Sequence, residues 1–517
     1  MYLKIERNDK INMETTILVT FIAYFVLIIA LAFYFRRSSN LSDFFLGGRT
    51  LGPWVSALSA QASDMSGWLL MGLPGVVYAA GTGNAWIAVG LIIGTACNWL
   101  FVAKKLRRYT IITDNAITIP QYLENRFRDT SHGLKITAAI FFTIFFTLYT
   151  ASFFVSSGVL ISNLFNIQYE HAVIISAVFI VLYTFVGGFL AVSWTDFVQG
   201  LMMLLAIFIM PVIAINYLGG FGAVIDALPA YRLSMTTTAG GGPIAANTVA
   251  SGLAWGLGYF GMPHILTRFM AIRKEKEVIP AAVIGIVWVV IGLGSAVLVG
   301  LVGFIFIPGL ENPETVFIEM TNRVFLGDAA IIAAPIVGAL FLCGMFAAIK
   351  STADSQLLVT SSAITGDIYQ NFKKGASDKH LVLVSRISII VVALIAIILS
   401  MDPGAGVMVL VAIAWAGLGS AFGPLMLLSL FWKRINTAGA VAGIVTGGLV
   451  VITWVYVPLV PNPTGDVVTL NAATGLFSII PGFFISLASI IIVTLSTKAP
   501  SPEVVADFEK ASIAIED

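Results

Sequence analysis

Apolar runs long enough to cross a bilayer recur thirteen times along this 517-residue chain. They fall at roughly 16–35, 53–79, 84–103, 134–163, 171–190, 192–217, 247–270, 278–307, 329–362, 381–400, 406–431, 437–457 and 474–495. A helix needs about 20 mostly apolar residues to cross the hydrocarbon core, and only a helix satisfies its backbone groups within one such segment. The expected fold is therefore an all-α polytopic membrane protein with 13 transmembrane helices. Composition agrees: 58% of residues are hydrophobic and only 11% charged, too few polar groups to cover a surface in water. The first run lacks a small-residue cleavage site and is read as a span rather than a signal peptide. A net charge of +1 leaves nothing to neutralise a phosphate backbone, which excludes nucleic acid as a partner. Cys97 and Cys343 both lie in apolar runs, a poor disulfide pair with no metal spacing around them.

Basic residues sort by side across these runs. Arg36, Arg37, Arg49, Lys104, Lys105, Arg107, Arg108, Arg126, Arg128, Lys135, Arg268, Arg273, Lys274 and Lys276 fall on one side, with Lys373, Lys374, Lys379, Lys433, Arg434, Lys498 and Lys510. That makes 21, against 5 on the other side: Lys4, Arg7, Lys10, Arg232 and Arg323. The positive-inside rule then places the N-terminus outside and the C-terminus in the cytoplasm of a multi-pass cell-membrane protein. The acidic tail from Pro500 to Asp517 reads as a solvated, partly disordered end.

Two spans are interrupted in matching positions. The second contains Ser59-Ala-Gln-Ala-Ser-Asp-Met-Ser-Gly-Trp68, where six of ten residues are polar or glycine. The seventh contains Trp255-Gly-Leu-Gly-Tyr-Phe-Gly-Met-Pro-His264, with three glycines and a proline. The spans start 194 residues apart, and the same offset carries 63–67 onto 257–261, the middle of the second break. Five spans per unit give the second unit the opposite orientation. Paired broken helices in inverted repeats place a binding site near the midplane and imply alternating access. The expected segments are 1–52, with the outer N-terminus, first span and first loop; 53–217 and 247–431, the two five-helix repeats; 432–495, two extra helices; and 496–517, the tail. Gly187, Gly188, Gly417, Gly419 and Gly447 read instead as sites of close helix packing.

Several side chains are candidates for chemistry. Asp64 is a carboxylate at mid-membrane depth, costly unless it serves a site. It either draws a hard monovalent cation toward carbonyls freed at the break or caps the half-helix from Ser66 onward. Ser351 and Thr352, adjacent hydroxyls in the ninth span, fit half of a sodium cage, although such residues often bond their own helix. Asp196 with Ser193 has capping-box spacing, and a role in ion binding or release fits equally. Trp255 and Tyr259, four apart, share a helix face that can wall an apolar slot or simply pack. Gly256, Gly258 and Gly261 match a dinucleotide-binding pattern in the wrong context, a membrane span rather than a strand-to-helix turn. No histidine spacing, nucleophile elbow, Walker loop or HExxH supports an enzyme.

The segments Leu46-Gly-Gly-Arg-Thr-Leu-Gly-Pro53 and Ala62-Ser-Asp-Met-Ser-Gly-Trp-Leu-Leu-Met-Gly-Leu-Pro-Gly75 closely resemble the sodium:solute symporter family, and within it the sodium/proline symporters. The likeness continues through Gly187-Gly-Phe-Leu-Ala-Val-Ser-Trp-Thr-Asp196, Trp255–Gly261, Pro263-His-Ile-Leu, Ser355-Gln-Leu-Leu-Val and Ser361-Ser-Ala-Ile-Thr, over about residues 40–500. The resemblance implies a LeuT-type 5+5 inverted-repeat core and Na+-coupled uptake of L-proline by alternating access, without an obligate protein partner. By match it implies a sodium site from the carbonyls of Ala62, Met65 and Ala348 and the hydroxyls of Ser351 and Thr352. Ser63, Asp64, Ser66 and Gly67 belong to the matching ion-coupling stretch. Asp196 matches a carboxylate near the sodium exit, and Arg49 an arginine linked to coupling. Tyr149, Trp255, Tyr259 and Pro263 match the proline pocket.

Four positions depart from the family pattern: Gln61 stands for glycine, Met262 for glutamine, Gly366 for an acidic residue and Lys350 for an apolar one. Lys350 precedes Ser351, so its ammonium either mimics bound sodium and alters coupling or pairs with Asp354 one turn on. Three functions follow: a sodium-coupled proline symporter, a same-fold symporter for another small amino acid or with proton or sodium-independent coupling through Lys350, and a sensor or channel on the same scaffold.

Overall fold

The computed structural model describes residues 2–35, 41–326, 330–402, 406–461 and 466–513. Arg36 and Arg37 lie outside the described residues, as do the side chains of Lys4, Arg7 and Lys10 and the packing around Gly187.

Ten described helices are long and apolar enough to cross a membrane. Three of the expected runs fall outside that set. Run 53–79 divides into Pro53–Asp64 and Trp68–Ala80, because Met65 leaves helical geometry at φ −84°, ψ 84°. Run 247–270 divides into Ala246–Ala254, a tighter 3-10 segment Trp255–Gly261, and Pro263–Met270. The third of these runs holds the 19-residue helix Tyr169–Gly187, which ends where Gly188, at φ 80°, turns the chain into Phe189–Tyr217. Gly188 thus serves conformation as well as close packing, since an added Cβ would stand 3.2 Å from the Phe44 ring. The packing reading also describes Gly417, Gly419 and Gly447. An added Cβ there would stand 2.1 Å from the Phe145 ring, 2.8 Å from Gly258 Cα and 2.3 Å from the Ser420 carbonyl.

Burial sorts the helices into centre and rim. In Pro335–Phe372, 83% of the apolar window is buried, against 28% in Met13–Phe35 and 33% in Ile479–Ser496, so the hydroxyl-bearing helix lies at the centre. Rim helices expose Leu182, Val283, Leu394 and Leu495 outward, where lipid tails would cover them. Pro53–Asp64 packs on Phe189–Tyr217 and Val278–Phe306, while Trp255–Gly261 packs on Trp86–Cys97 and Val407–Phe431. Glycine permits that second contact, since a Cβ at Gly258 would stand 2.0 Å from Trp415 Nε1. Cys97 and Cys343 are free thiols.

The structure corrects two expectations here. The fold is not wholly helical: Pro458–Pro461 pairs antiparallel with Val467–Thr469 in a loop, where Val460, Val467 and Val468 favour extended backbone. Nor is the tail a loose end. Ser501 caps a helix Pro502–Ser512 by accepting from Val504 N, and Val504 and Ala511 are buried. Phe508 meets the Tyr109 ring edge-on at 6.3 Å between centroids, and Arg128 pairs with Asp507 at 2.8 Å and Glu503 at 3.3 Å.

Candidate functional site

The two breaks meet at the centre. Asp64 ends the first half-helix fully buried, and its Oδ2 accepts a 2.6 Å hydrogen bond from the Tyr259 hydroxyl in the second break. Asp64 Oδ1 has no hydrogen-bond partner among the described residues. The capping role considered for Asp64 is therefore not what its carboxylate does. The freed Asp64 carbonyl accepts instead from Trp68 Nε1 at 3.1 Å. Ser66 Oγ lies 3.5 Å from Trp68 N, at the limit of a hydrogen bond. Gly67 passes so close to the neighbouring helix that a Cβ would stand 2.8 Å from Ser156 Oγ.

Four of the five expected sodium ligands converge at this break. Ser351 Oγ and Thr352 Oγ1 donate to the Ala62 carbonyl at 2.7 and 3.1 Å, and each lies 3.2 Å from the Ala348 carbonyl. A hydroxyl has one proton and two lone pairs, so lone pairs remain on both side chains. Two carbonyls and two hydroxyls, all buried and neutral, form an oxygen-only donor set of the kind hard cations take. Met65 stands at the break itself, its carbonyl turned out of the helical direction by its ψ of 84°. No cluster of three His, Cys, Asp or Glu suited to a polydentate metal occurs among the described residues.

Beside this cage lies a charged network that sequence reasoning missed. Asp196 Oδ2 accepts from Ser59 Oγ at 2.8 Å, Ser63 Oγ at 3.2 Å and Arg268 Nη2 at 3.1 Å. Arg268 also donates to Ser59 Oγ at 3.1 Å, the His264 carbonyl at 2.9 Å and Ser355 Oγ at 2.5 Å. Ser63 Oγ lies 3.0 Å from Ser355 Oγ. Arg268 was expected among the loop charges, but it is fully buried, because the end of Pro263–Met270 points into the bundle toward Asp196. The capping-box expectation for Ser193 and Asp196 also fails. The helix begins at Phe189, so Ser193 sits inside it, its hydroxyl without a partner among the described residues.

Lys350 pairs with Asp354 one turn along the helix, both fully buried. Its ammonium stands 3.3 Å from the centre of the Tyr183 ring, and Asp354 Oδ1 accepts from Thr184 Oγ1 at 2.8 Å. The lysine donates to Asp354, whereas Ser351 donates to the Ala62 carbonyl.

The expected substrate residues form two contacts rather than one wall. With about three residues per turn in a 3-10 helix, Trp255 and Tyr259 do not share a face in the way an α-helix would align them. Trp415 joins them: its ring lies 6.3 Å from Trp255 and 5.1 Å from Tyr259, and its Nε1 donates to the Trp255 carbonyl at 2.8 Å. Tyr149 is buried, its hydroxyl without a partner among the described residues, 6.4 Å ring to ring from His264, which follows Pro263 at the start of its half-helix.

Arg49 stands at the far end of both broken helices. It donates to Asn115 Oδ1 at 2.9 Å, Thr110 Oγ1 at 3.2 Å and the carbonyls of Ala116 at 2.8 Å and Met270 at 2.5 Å. Burial, with the charge of Arg107 adding, pushes its guanidinium down to about 10, so it remains a cation at neutral pH. Leu51 and Ala271 are bonded backbone to backbone at 3.2 Å, which ties the two broken helices together at that end.

Comparison with known proteins agrees with this architecture. The sodium:solute symporter family profile matches residues 44–447. The osmoregulated proline transporter OpuE of Bacillus subtilis (strain 168) is 42% identical over 495 residues, covering 95% of this chain and 96% of that protein. The sodium/proline symporter of Staphylococcus aureus is 42% identical over 510 residues, 96% of each chain. A Na+-coupled sialic acid symporter, solved in a substrate-bound outward-open state, superposes with a TM-score of 0.73 at 20% identity, over 94% of this chain and 99% of its own, a likeness of fold. The chain belongs to the sodium:solute symporter family.

Proposed function

We propose that the chain is a cell-membrane symporter that couples L-proline uptake to sodium entry by alternating access. In this reading it has thirteen spans, an outer N-terminus and a cytoplasmic C-terminus. Residues 53–217 and 247–431 form the inverted LeuT-type repeats, 1–52 and 432–495 flank them, and 496–517 carries the docked helix Pro502–Ser512. Sodium is cargo here, held by the carbonyls of Ala62, Met65 and Ala348 and the hydroxyls of Ser351 and Thr352. Such oxygens replace a hydration shell one for one and, being neutral, let the ion go. Asp64 adds attraction from the neighbouring break, with Ser63, Ser66 and Gly67 shaping it. Asp196 lies on the exit side, and Arg49 holds the cytoplasmic ends of the two broken helices together.

Proline would lie between the breaks. A half-helix N-terminus is suited to its carboxylate, and the rings of Tyr149, Trp255 and Tyr259 with Pro263 would accept its apolar ring. The observation that carries the reading is the convergence of Ser351 and Thr352 on the Ala62 carbonyl at the first break. The names of the 42%-identical relatives support proline as the solute. The sodium-independent alternative required Lys350 to reach the cage, and its ammonium is taken up by Asp354 and Tyr183.

The test is labelled-proline uptake into proteoliposomes under an inward sodium gradient, with a matched potassium control. Accumulation above equilibrium in sodium alone is expected. Equal uptake in potassium would overturn sodium coupling, and no proline uptake in either would overturn the substrate.

A further inference from the structure

Lys350 and Asp354 are both fully buried, and each has its neighbours fixed: the ammonium lies over Tyr183, and the carboxylate also accepts from Thr184. Residues three and four apart on a helix are neighbours. Asp354 is therefore next to Lys350 and, on the other side, next to Ser351, whose hydroxyl faces the Ala62 carbonyl. A full negative charge stands one turn from the neutral oxygens of the cage, and a full positive charge is held against it. A buried ion pair is a weak means of stabilising a fold, since apolar residues of similar volume commonly do as well or better. Position beside the cage gives this pair a different use.

We propose that Lys350 is a tethered counter-cation which, by neutralising Asp354, sets the sodium affinity of the adjacent oxygen cage low enough for release. The inference rests on reading Ser351 and Thr352 as sodium ligands. With the pair intact, the cage senses a small dipole. With one partner removed it senses a whole charge, and the sign depends on which partner remains. Lys350 is thus a positioning residue for charge and does not itself touch the ion.

The experiment is equilibrium binding of radiolabelled sodium to the purified full-length protein in proteoliposomes, without proline. The chains compared are wild type, Lys350→Met, Asp354→Asn and the double variant Lys350→Met/Asp354→Leu. A unit charge acting over one helical turn at an effective dielectric of about 20 shifts affinity by about a hundredfold, roughly 3 kcal/mol. Lys350→Met should tighten sodium binding by about that factor and Asp354→Asn should weaken it by about as much, while the double variant lies within about twofold of wild type. A merely structural pair would move both single variants in the same direction, and that result overturns the inference. So does a shift of less than about twofold in both. If one single variant does not fold, the sign of the other against the double variant decides. Wild-type protein that binds no sodium would overturn the sodium-site reading and this inference with it. Wild-type binding with unmoved variants overturns this inference alone.

Discussion

Replacing Arg268 by methionine tests whether the buried charge network holds the core together. The guanidinium makes four hydrogen bonds, to Asp196, Ser59, Ser355 and the His264 carbonyl, and so joins both broken helices, the helix Phe189–Tyr217 and the helix Pro335–Ser362. Breaking a buried ion pair from one side costs about 3–5 kcal/mol, mostly because the remaining charge is stranded. Asp196 would keep the Ser59 and Ser63 hydroxyls at 2.8 and 3.2 Å, which places Arg268→Met near the lower end, about 3 kcal/mol. Asp196→Asn keeps the shape but strands the Arg268 cation among neutral acceptors, so it too should cost about 3–5 kcal/mol. The double variant Arg268→Met/Asp196→Leu strands nothing and should recover most of the loss. Denaturant unfolding of the detergent-solubilised protein, followed by tryptophan fluorescence, measures all three against wild type. A double variant as unstable as Arg268→Met would refute the reasoning, since loss of packing rather than a stranded charge would then dominate.

Two further outcomes follow from the same geometry. Gly67→Ala places a methyl 2.8 Å from Ser156 Oγ and 2.9 Å from its Cβ, an overpacking cost of about 1–3 kcal/mol that should slow proline uptake. Adding Ser156→Gly should restore uptake, and failure to do so would place the defect in backbone conformation instead. Burial pushes the Glu275 carboxyl up, but the hydrogen bonds and charges of Arg108, then Lys104, outweigh it and hold it below the ordinary 4.5. A carboxylate lowered in the folded state stabilises fully above its unfolded value and loses that stability as pH falls through the folded value. Hydrogen exchange in Lys104–Ile112 should therefore stay slow down to about pH 5 and quicken only below it. Loosening between about pH 5 and 7, where histidine titrates, would point to another group.

What was legible in the chain was whatever disturbs a helix. Ser59–Trp68 and Trp255–His264 stand out because polar groups, glycines and a proline do not fit an unbroken apolar span, and both breaks lie where the 194-residue offset puts them. Partners across the fold were not legible. Arg268 sits at a helix end, where a buried cation and a loop cation look alike, and Asp196 is 72 residues away. Trp415 carries no signal in an apolar run, yet it bridges Trp255 and Tyr259. The tail was misread because its acidic residues outweighed a fainter pattern: Ser501 before Pro502, then Val504, Phe508 and Ala511 at helical spacing. The false capping box at Ser193 has the opposite cause. Local spacing matched a motif, but the turn at Gly188 had already started the helix four residues earlier.

Three buried carboxylates surround the breaks, and their partners differ in a way that bears on coupling. Asp196 faces the Arg268 guanidinium and Asp354 faces the Lys350 ammonium, so each charge is matched within the protein. Asp64 meets the neutral hydroxyl of Tyr259, and its second oxygen has no partner among the described residues. A buried charge without an opposite charge is costly in a low-dielectric interior. Fixed cations at Asp196 and Asp354 balance those two groups from within the protein. Asp64 can be balanced only by something that arrives. In the proposed cycle that is the sodium ion in the adjacent cage, and the half-helices joined by the Tyr259 bond are the parts that sense its arrival.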